Sequence, residues 1–473
     1  VYLAEQREIL HDQLTIVADG LTQNQLPGVK FVKGKLSISP LEKAVPDEVE
    51  AVAAQTYGQV PWVKITDLLV AVDHLTQFSR HFTHLHTGAE GKDKAALFTT
   101  ILADATNLGL SKMANACPGM SYHTLAWIAD WYLRDDIYSK ALAELVNFQH
   151  RLPFAHYWGG GVTSSSDAQR FPVGGQREAL AQVNAKYGRD LSLMFYTHVS
   201  DQYTPFHVKA ISATAHQAPY VLDGLPYHET DLQIEEHYTD TGGVSDHLFA
   251  ICAALGFRFA PRIRDLGDRR LYTIESPTLY PLLQPLIGGT IHLKRIVDHW
   301  DNLLRLLTSI RKGTVTASLI LRKLAAYPRQ NSLALALRDM GRIERTKYSL
   351  AWFQSEEMRR RVTRGLNKGE AKHALDRAVF FHRRGMVQDR SVEDHQHRAS
   401  GLTVVTAAIV LWNTLMLEEA VATLRAQGVT IHDDHLAHLS PLSWEKIILT
   451  GEYRWNLQPA HFLHQRQLPL AIG

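Results

Sequence analysis

Residues 157–171 read YWGGGVTSSSDAQRF, and at this point the character of the 473-residue chain changes. Before it, from 65 to about 150, apolar residues recur with a helical period: Leu68, Leu69, Val72 and Leu75 fall at i, i+3 and i+4 spacing, and 96–108 and 124–148 repeat the habit. After it come short segments rich in β-formers, 192–199, 207–212, 234–239 and 257–263, parted by Gly, Pro and Asp turns. A helical stretch near 218–225 and an amphipathic helix over 244–255 lie between them. A helical scaffold therefore leads into a mixed α/β core, and the glycine run is where the backbone bends from one into the other.

Composition sets wider bounds. The chain is 45% hydrophobic and 21% charged, with 18 prolines well spread, which excludes disorder, collagen and coiled coil as the main state. Cys117 and Cys252 lie far apart and in no metal-ligand spacing, so neither a disulfide framework nor a structural zinc is expected, and a reducing cytoplasm fits. The longest apolar run, 402–412, is well short of the roughly 20 residues of a membrane span and reads as a buried helix. The opening VYLAEQREIL lacks the basic and apolar regions of a signal peptide and reads as the interior of a longer chain. In the first 60 residues Pro27, Gly28, Pro40 and Pro46 interrupt any long helix, and no chemistry is visible. Phosphate-loop, dinucleotide, nucleophile-elbow and HExxH motifs do not occur.

The net charge of +2, from 50 basic and 48 acidic residues, hides a segregation. Residues 305–364 hold 14 Lys or Arg against 4 Asp or Glu. This basic helical block is either the footprint of a polyanion or a solvated helix surface. The 25 histidines include two clusters with crude ligand spacing, His81, His84, His86 and His432, His435, His438. Neither carries the carboxylates of a known metal motif, so both read as solvated or core-edge residues. His198 and His237, on core strands, read as site-lining.

Three carboxylates stand at the ends of predicted core elements. Asp167 follows the Ser run. Asp240 ends IEEHYT just before Gly242, Gly243 and the next helix; local sequence favours a helix N-cap there, with Asp246 competing for that role. Glu370, just after Gly369, borders the apolar stripe of Leu375, Ala378 and Phe381, either reaching a shared metal site or serving as a first-turn acid favoured by the helix dipole.

Several stretches together carry a resemblance: WGGGVTSSSDAQRF, FYTHVSDQYTPFH, YVLDGLPYHETDLQIEEHYTDTGGVSDHLFA, LGFRFAPRIRDL, GTVTASLILRKLAAYPRQN, NKGEAKHALDRAVFFHRRG, HRASGLTVVTAAIVLWNT and HLSPLSWEKIILTGEYRW. From about residue 158 to 455, and in order, they resemble the replicative bacterial transposases of the Tn-three family. The resemblance implies a ribonuclease-H-like core with a DDE triad, which falls residue by residue on Asp167, Asp240 and Glu370. It implies two Mg²⁺ ions held by these three acids, with Mn²⁺ as a substitute, and 3′-end nicking followed by strand transfer that joins transposon ends to target DNA as a cointegrate. There are two departures. Relatives often read WGDG where Gly160 stands here, and SSSDG where Ala168 stands, a change that matters only if that position needs positive φ.

The expected fold class is thus α/β with large helical additions. A helical scaffold spans 1–150, the first part of the core with Asp167 and Asp240 spans 151–275, a basic helical insertion 276–365, returning helices with Glu370 366–425, and a tail 426–473. Double-stranded DNA is the expected partner, held by Arg311, Lys312, Arg322, Lys323, Arg359, Arg360, Arg361, Arg364 and Lys368, with a homodimer in the DNA complex and no membrane. Two alternatives remain: a non-catalytic DNA-binding or dimerisation fragment, since family members are about twice this length, and a zinc hydrolase built on the histidines.

Overall fold

The computed structural model describes residues 2–458 apart from 33–34, 43–46, 175–179, 185–189, 264–269, 327–330 and 389–390. The glycine run enters β4 (Thr163–Pro172), the inner strand of the central sheet. Ahead of it lie α1 (Tyr2–Thr22), the hairpin β1 (Val29–Val32) and β2 (Lys35–Ile38), α2 (Asp47–Gln59) and β3 (Val63–Lys64). The scaffold helices α3 (Ile65–Thr76), α4 (Lys94–Ala105), α5 (Gly109–Ala116), α6 (Tyr122–Tyr132) and α7 (Asp135–Arg151) follow. Two expectations are modified here. A 21-residue helix forms ahead of Pro27, and the long helical stretch over 124–148 breaks at Leu133 and Arg134, both extended, into α6 and α7.

After β4 come β5 (Gln182–Val183), β6 (Leu191–Ser200), β7 (Pro205–Ser212), the single turn α8 (Ala218–Val221), β8 (Glu236–Thr239), α9 (Asp246–Leu255) and β9 (Arg258–Phe259). β7, β6 and β4 form an antiparallel meander, and β8 and then β9 add in parallel on the far side of β4. Such parallel additions require crossovers, here through α8 and α9. The four strands read from sequence are all present. The strand that begins the core, TSSSDAQRFP, is not among those four, because serine and aspartate have low β-propensity.

Two strands, β10 (Leu271–Thr273) and β11 (Ile287–Thr290), pair in parallel before the helices return. These are α10 (Leu293–Asp298), α11 (Trp300–Arg311), α12 (Ala317–Ala326), α13 (Ser332–Gln354), α14 (Glu356–Val379), α15 (Val392–Ala426) and α16 (Asp433–Leu436), followed by β12 (Ile447–Ile448). The run read as a buried helix is the middle of α15, whose 35 residues extend about 52 Å. It is long and apolar enough to cross a membrane, but its apolar window is wholly buried against α7, α4, β7 and α3. It is the shared core helix of scaffold and sheet. The tail closes on the scaffold: β12 pairs with β3, and the Trp455 indole donates to Thr99 Oγ1 (2.8 Å).

Much of the basic block is spent inside the fold. Arg345 and Arg342 on α13 pair with Asp246 on α9 (2.6 and 3.5 Å), and Arg295 and Arg342 pair with the fully buried Asp339. The two helices approach closely at Gly341, where a Cβ would lie 1.7 Å from the Asp246 carbonyl oxygen. The expected boundary between insertion and returning helices, at 365/366, falls inside the single helix α14.

Candidate active site

In β4, alternate side chains face opposite sides of the sheet. Ser164 and Ser166 bond His237 Nδ1 and Nε2 (2.7 and 2.8 Å) on one face. On the other, Ser165 lies against Gly369 of α14, and Gln169 donates to the His373 carbonyl (3.0 Å). Asp167, between Ser165 and Gln169, belongs to the α14 face and is partly buried. Ala168 pairs with Tyr196 without positive φ, so alanine is accommodated at this position.

The register fixes the second acid. Ser166 pairs with Thr239 of the parallel β8, so Asp240 follows Thr239 where Asp167 follows Ser166, on backbones about 4.8 Å apart. Asp240 continues the extended conformation (φ −74°, ψ 171°). In β8, Glu236 and Tyr238 face α14, through Arg361 and Gly365, and the two-residue period puts Asp240 on that side as well. The N-cap expectation is corrected. Ser245 caps α9 by accepting from Leu248 N (3.1 Å), Asp246 is ion-paired, and Asp240 makes no cap bond even to the short turn that follows it.

Glu370 sits mid-way along the 24-residue α14, not in a first turn. The helix is laid on the sheet by a row four residues apart: Arg361 on Glu236 (3.2 Å), Gly365 on Tyr238, Gly369 on Ser165 and His373 on Gln169. Glu370 is exposed beside that row. The nearest cations in sequence are held elsewhere: Lys372 pairs with Asp376 (2.6 Å), and Lys368 donates to the Trp158 and Asp201 carbonyls (3.0 and 2.5 Å) under the Tyr203 ring. At Gly365 a Cβ would lie 2.2 Å from the Tyr238 ring. Gly365→Ala, which in an open helix gains about 1 kcal/mol, is expected instead to destabilise by about 1–3 kcal/mol in chemical denaturation, because the overlap lifts α14 from the sheet.

Sequence reasoning missed Asp201, which fixes the start of β4. Its carboxylate accepts from the Gly161, Val162 and Thr163 amides (3.0, 3.3 and 3.2 Å). Burial holds its pKa above the ordinary range despite nearby Lys368, and burial pulls Lys368 down to about 8 against the opposing effect of Asp201. A Cβ on Gly159 would strike Asp201, and one on Gly161, at φ 74°, would strike His150. At Gly160 it would meet nothing within 4 Å, so a residue with a side chain fits there without disturbing the loop.

His198 and His237 are fully buried on the face opposite the acids, and burial lowers both pKa values. They are core residues and do not line the site. Among the described residues, no three His, Cys, Asp or Glu side chains are grouped closely enough to hold a metal. The structure thus brings Asp167 and Asp240 side by side and puts Glu370 on the helix crossing the same face, without closing the three into a cage. The donors are all carboxylate oxygens, the ligand type that hard divalent cations take, and they fit such an ion in chemistry and side.

The expected DNA-contacting residues divide. Arg311, Lys312, Arg322, Lys323 and Arg364 are exposed. Arg359 is only 3% exposed and donates to the Trp352 and Pro27 carbonyls (2.7 and 2.6 Å), so it is an internal clamp. Arg360 and Arg361 are tied to Glu356 and Glu236, and Lys368 to the main chain of 158 and 201.

A family model described as the Tn3 transposase DDE domain matches residues 67–453. The chain belongs to this family. It is 55% identical over 96% of its length to the transposase for transposon Tn501 of Pseudomonas aeruginosa, and 56% identical over the same share to the transposase for transposon Tn21 of Escherichia coli. The transposase for transposon Tn1546 of Enterococcus faecium is 44% identical over 96% of the chain. In each case the match covers 46% of the relative, so the chain spans about half the length of these Tn3-family transposases. The match to the DDE domain includes β4 with Asp167, the end of β8 with Asp240 just beyond it, and α14 with Glu370.

Proposed function

We propose that this chain is the catalytic half of a Tn3-family replicative transposase, nicking the 3′ ends of its element and joining them to target DNA to form a cointegrate. The observation that carries the reading is the arrangement of Asp167 on β4, Asp240 immediately after β8 and Glu370 on α14, on the face of the sheet that α14 crosses. A ribonuclease-H-like core is supported by the meander of three antiparallel strands with two parallel strands added beyond the first. Retention of all three acids on one face counts against a non-catalytic fragment.

Asp167 and Asp240, on adjacent strands, would be shared ligands of two Mg²⁺ ions, and Glu370 would complete one shell. When bound, such ions activate a water or a 3′-hydroxyl and stabilise the departing oxygen, and Mn²⁺ accepts the same oxygen donors. The protein's part is positional. The strand register fixes the two aspartates relative to each other, and the Arg361–His373 row fixes the height of Glu370 above them. Since two ends join one target, we read two copies of the chain as meeting on double-stranded DNA. The test is nicking and joining of an end-containing duplex with Mg²⁺, with Mn²⁺ and after chelation. Activity that survives chelation excludes the assignment.

The exposed cations supply the non-specific grip. Neutralising Arg311, Lys312, Arg322 and Lys323 together is expected to weaken duplex binding on every sequence. The plot of log K against log salt should flatten by about 0.9 for each phosphate that the variant leaves unneutralised. Fluorescence anisotropy titrations at several salt concentrations measure it, and an unchanged slope would remove these residues from the interface.

A further inference from the structure

A cleft of about 480 Å³ opens between α5, α6, the turn after α14 and the start of α15, away from the acids. Its walls include Lys112, Arg383, Asn107, Gln388, His397 and Arg398. Two acids also reach it. Asp104 is neutralised by Arg398 (3.1 Å) and bonded by the Tyr138 hydroxyl (3.1 Å), while Asp394 is exposed and bonded by the neutral Ser391 hydroxyl (2.6 Å), so a ligand meets Lys112, which contacts His382 (3.1 Å), and Arg383 with one carboxylate beside them.

The turn that delivers Arg383 is costly. Arg383 (φ 51°), Arg384 (φ 55°) and Gly385 (φ 77°) are three consecutive left-handed residues, and side chains in that region cost roughly 1–2 kcal/mol each. Asn107, itself at φ 61°, holds the turn by donating to the His382 and Met386 carbonyls (3.2 and 2.8 Å). Strain of this kind persists where surrounding structure enforces it, and it tends to sit at functional sites. Here it brings Arg383 to the cleft wall shared with Lys112, with the exposed Arg384 next to it in the chain.

The position is as informative as the chemistry. Val387 bridges Val173, just beyond the end of β4, in the parallel sense. From Asp167 to Pro172, β4 is bordered by β6 on one edge, while the other edge has Asp240 at one end and the 386–388 segment at the other. Five residues of strand span about 17 Å, which is the rise of about five base pairs of duplex.

We propose that this cleft is a second phosphate-backbone site. In it Lys112 and Arg383, with the neighbouring exposed Arg384, hold the DNA strand that runs from the catalytic acids past the β4 edge toward residues 386–388, about five base pairs from the scissile phosphate. The inference rests on the transposase reading above. The test compares the parent chain with Arg383→Asn/Arg384→Asn, since asparagine tolerates the left-handed region, and separately with Lys112→Gln on the opposite wall. Binding is measured by anisotropy on an end-containing duplex, with and without neutral methylphosphonates placed four to six base pairs from the cleavage point. The double variant should bind about tenfold more weakly with a salt slope lower by about two, and the methylphosphonates should weaken the parent but not the variant. Equal affinity, slope and methylphosphonate sensitivity in parent and variants overturns the cleft site. If the double variant does not fold, Lys112→Gln decides by the same readings, with a slope change of about one. A parent chain that neither binds nor nicks the duplex overturns the transposase reading instead, so the two failures are distinct.

Discussion

Asp240→Asn is expected to lower 3′-end nicking and strand transfer by about 10³-fold or more, while the variant melts like the parent and binds duplex DNA with similar affinity. Asparagine keeps the shape of the side chain and removes the charge that a divalent cation needs. On the proposed assignment a loss of this size corresponds to about 4 kcal/mol of transition-state stabilisation. Asp240→Asn leaves the cap of α9 intact, because Ser245 and not Asp240 forms it. Asp167→Asn should behave alike in catalysis. Glu370→Gln is expected to fall least, since Glu370 is exposed and belongs to a helix that the sheet holds through neighbouring residues. Single-turnover nicking of a labelled end in Mg²⁺ measures all three, and a parental rate for Asp240→Asn would sink the assignment.

The elements carrying the two aspartates were legible in sequence to different degrees. Alternating β-formers bounded by turn residues mark β6, β7 and β8, and an apolar helical period marks α9, because these elements obey local rules. What failed were features decided by residues distant in the chain. For Glu370, just after Gly369, the first-turn alternative does not hold: it lies mid-helix, and Gly365 and Gly369 sit within α14 where Tyr238 and Ser165 come close beneath them. The excess of 305–364 reads as one basic surface. Its partners Asp246, Glu236 and the Pro27 carbonyl lie far away in sequence, so a count of charges could not tell a clamp such as Arg359 from an exposed cation such as Arg364. Likewise His237 is on the right strand for a site, but the pleat turns it to the other face. The two aspartates lie side by side because one register pair, Ser166 with Thr239, aligns the residues that follow them.

Lys372 and Asp376 give the largest expected change in stability. Both side chains are almost wholly buried, 1% and 2% exposed, one turn apart on α14, and Asp376 also accepts from Thr406 of α15 (3.0 Å). Burial outweighs both partners and holds the Asp376 carboxyl above its ordinary range, so desolvation is the dominant influence on this pair. The sign of each variant follows. Lys372→Ala leaves an unpaired acid in the interior and should cost about 3–5 kcal/mol, a loss read as a lower midpoint in urea. Replacing both, as Lys372→Met with Asp376→Leu, removes the desolvation cost along with the attraction, and should recover most of that loss. Because Lys372 lies two residues from Glu370, the double variant also separates stability from catalysis. If α14 needs the pair only to stay folded, nicking returns with stability; if the pair sets the rotation of the helix over β4, stability returns and nicking does not. A single variant as stable as the parent would mean that Asp376 is carried uncharged, and that the pair contributes nothing to seating the helix.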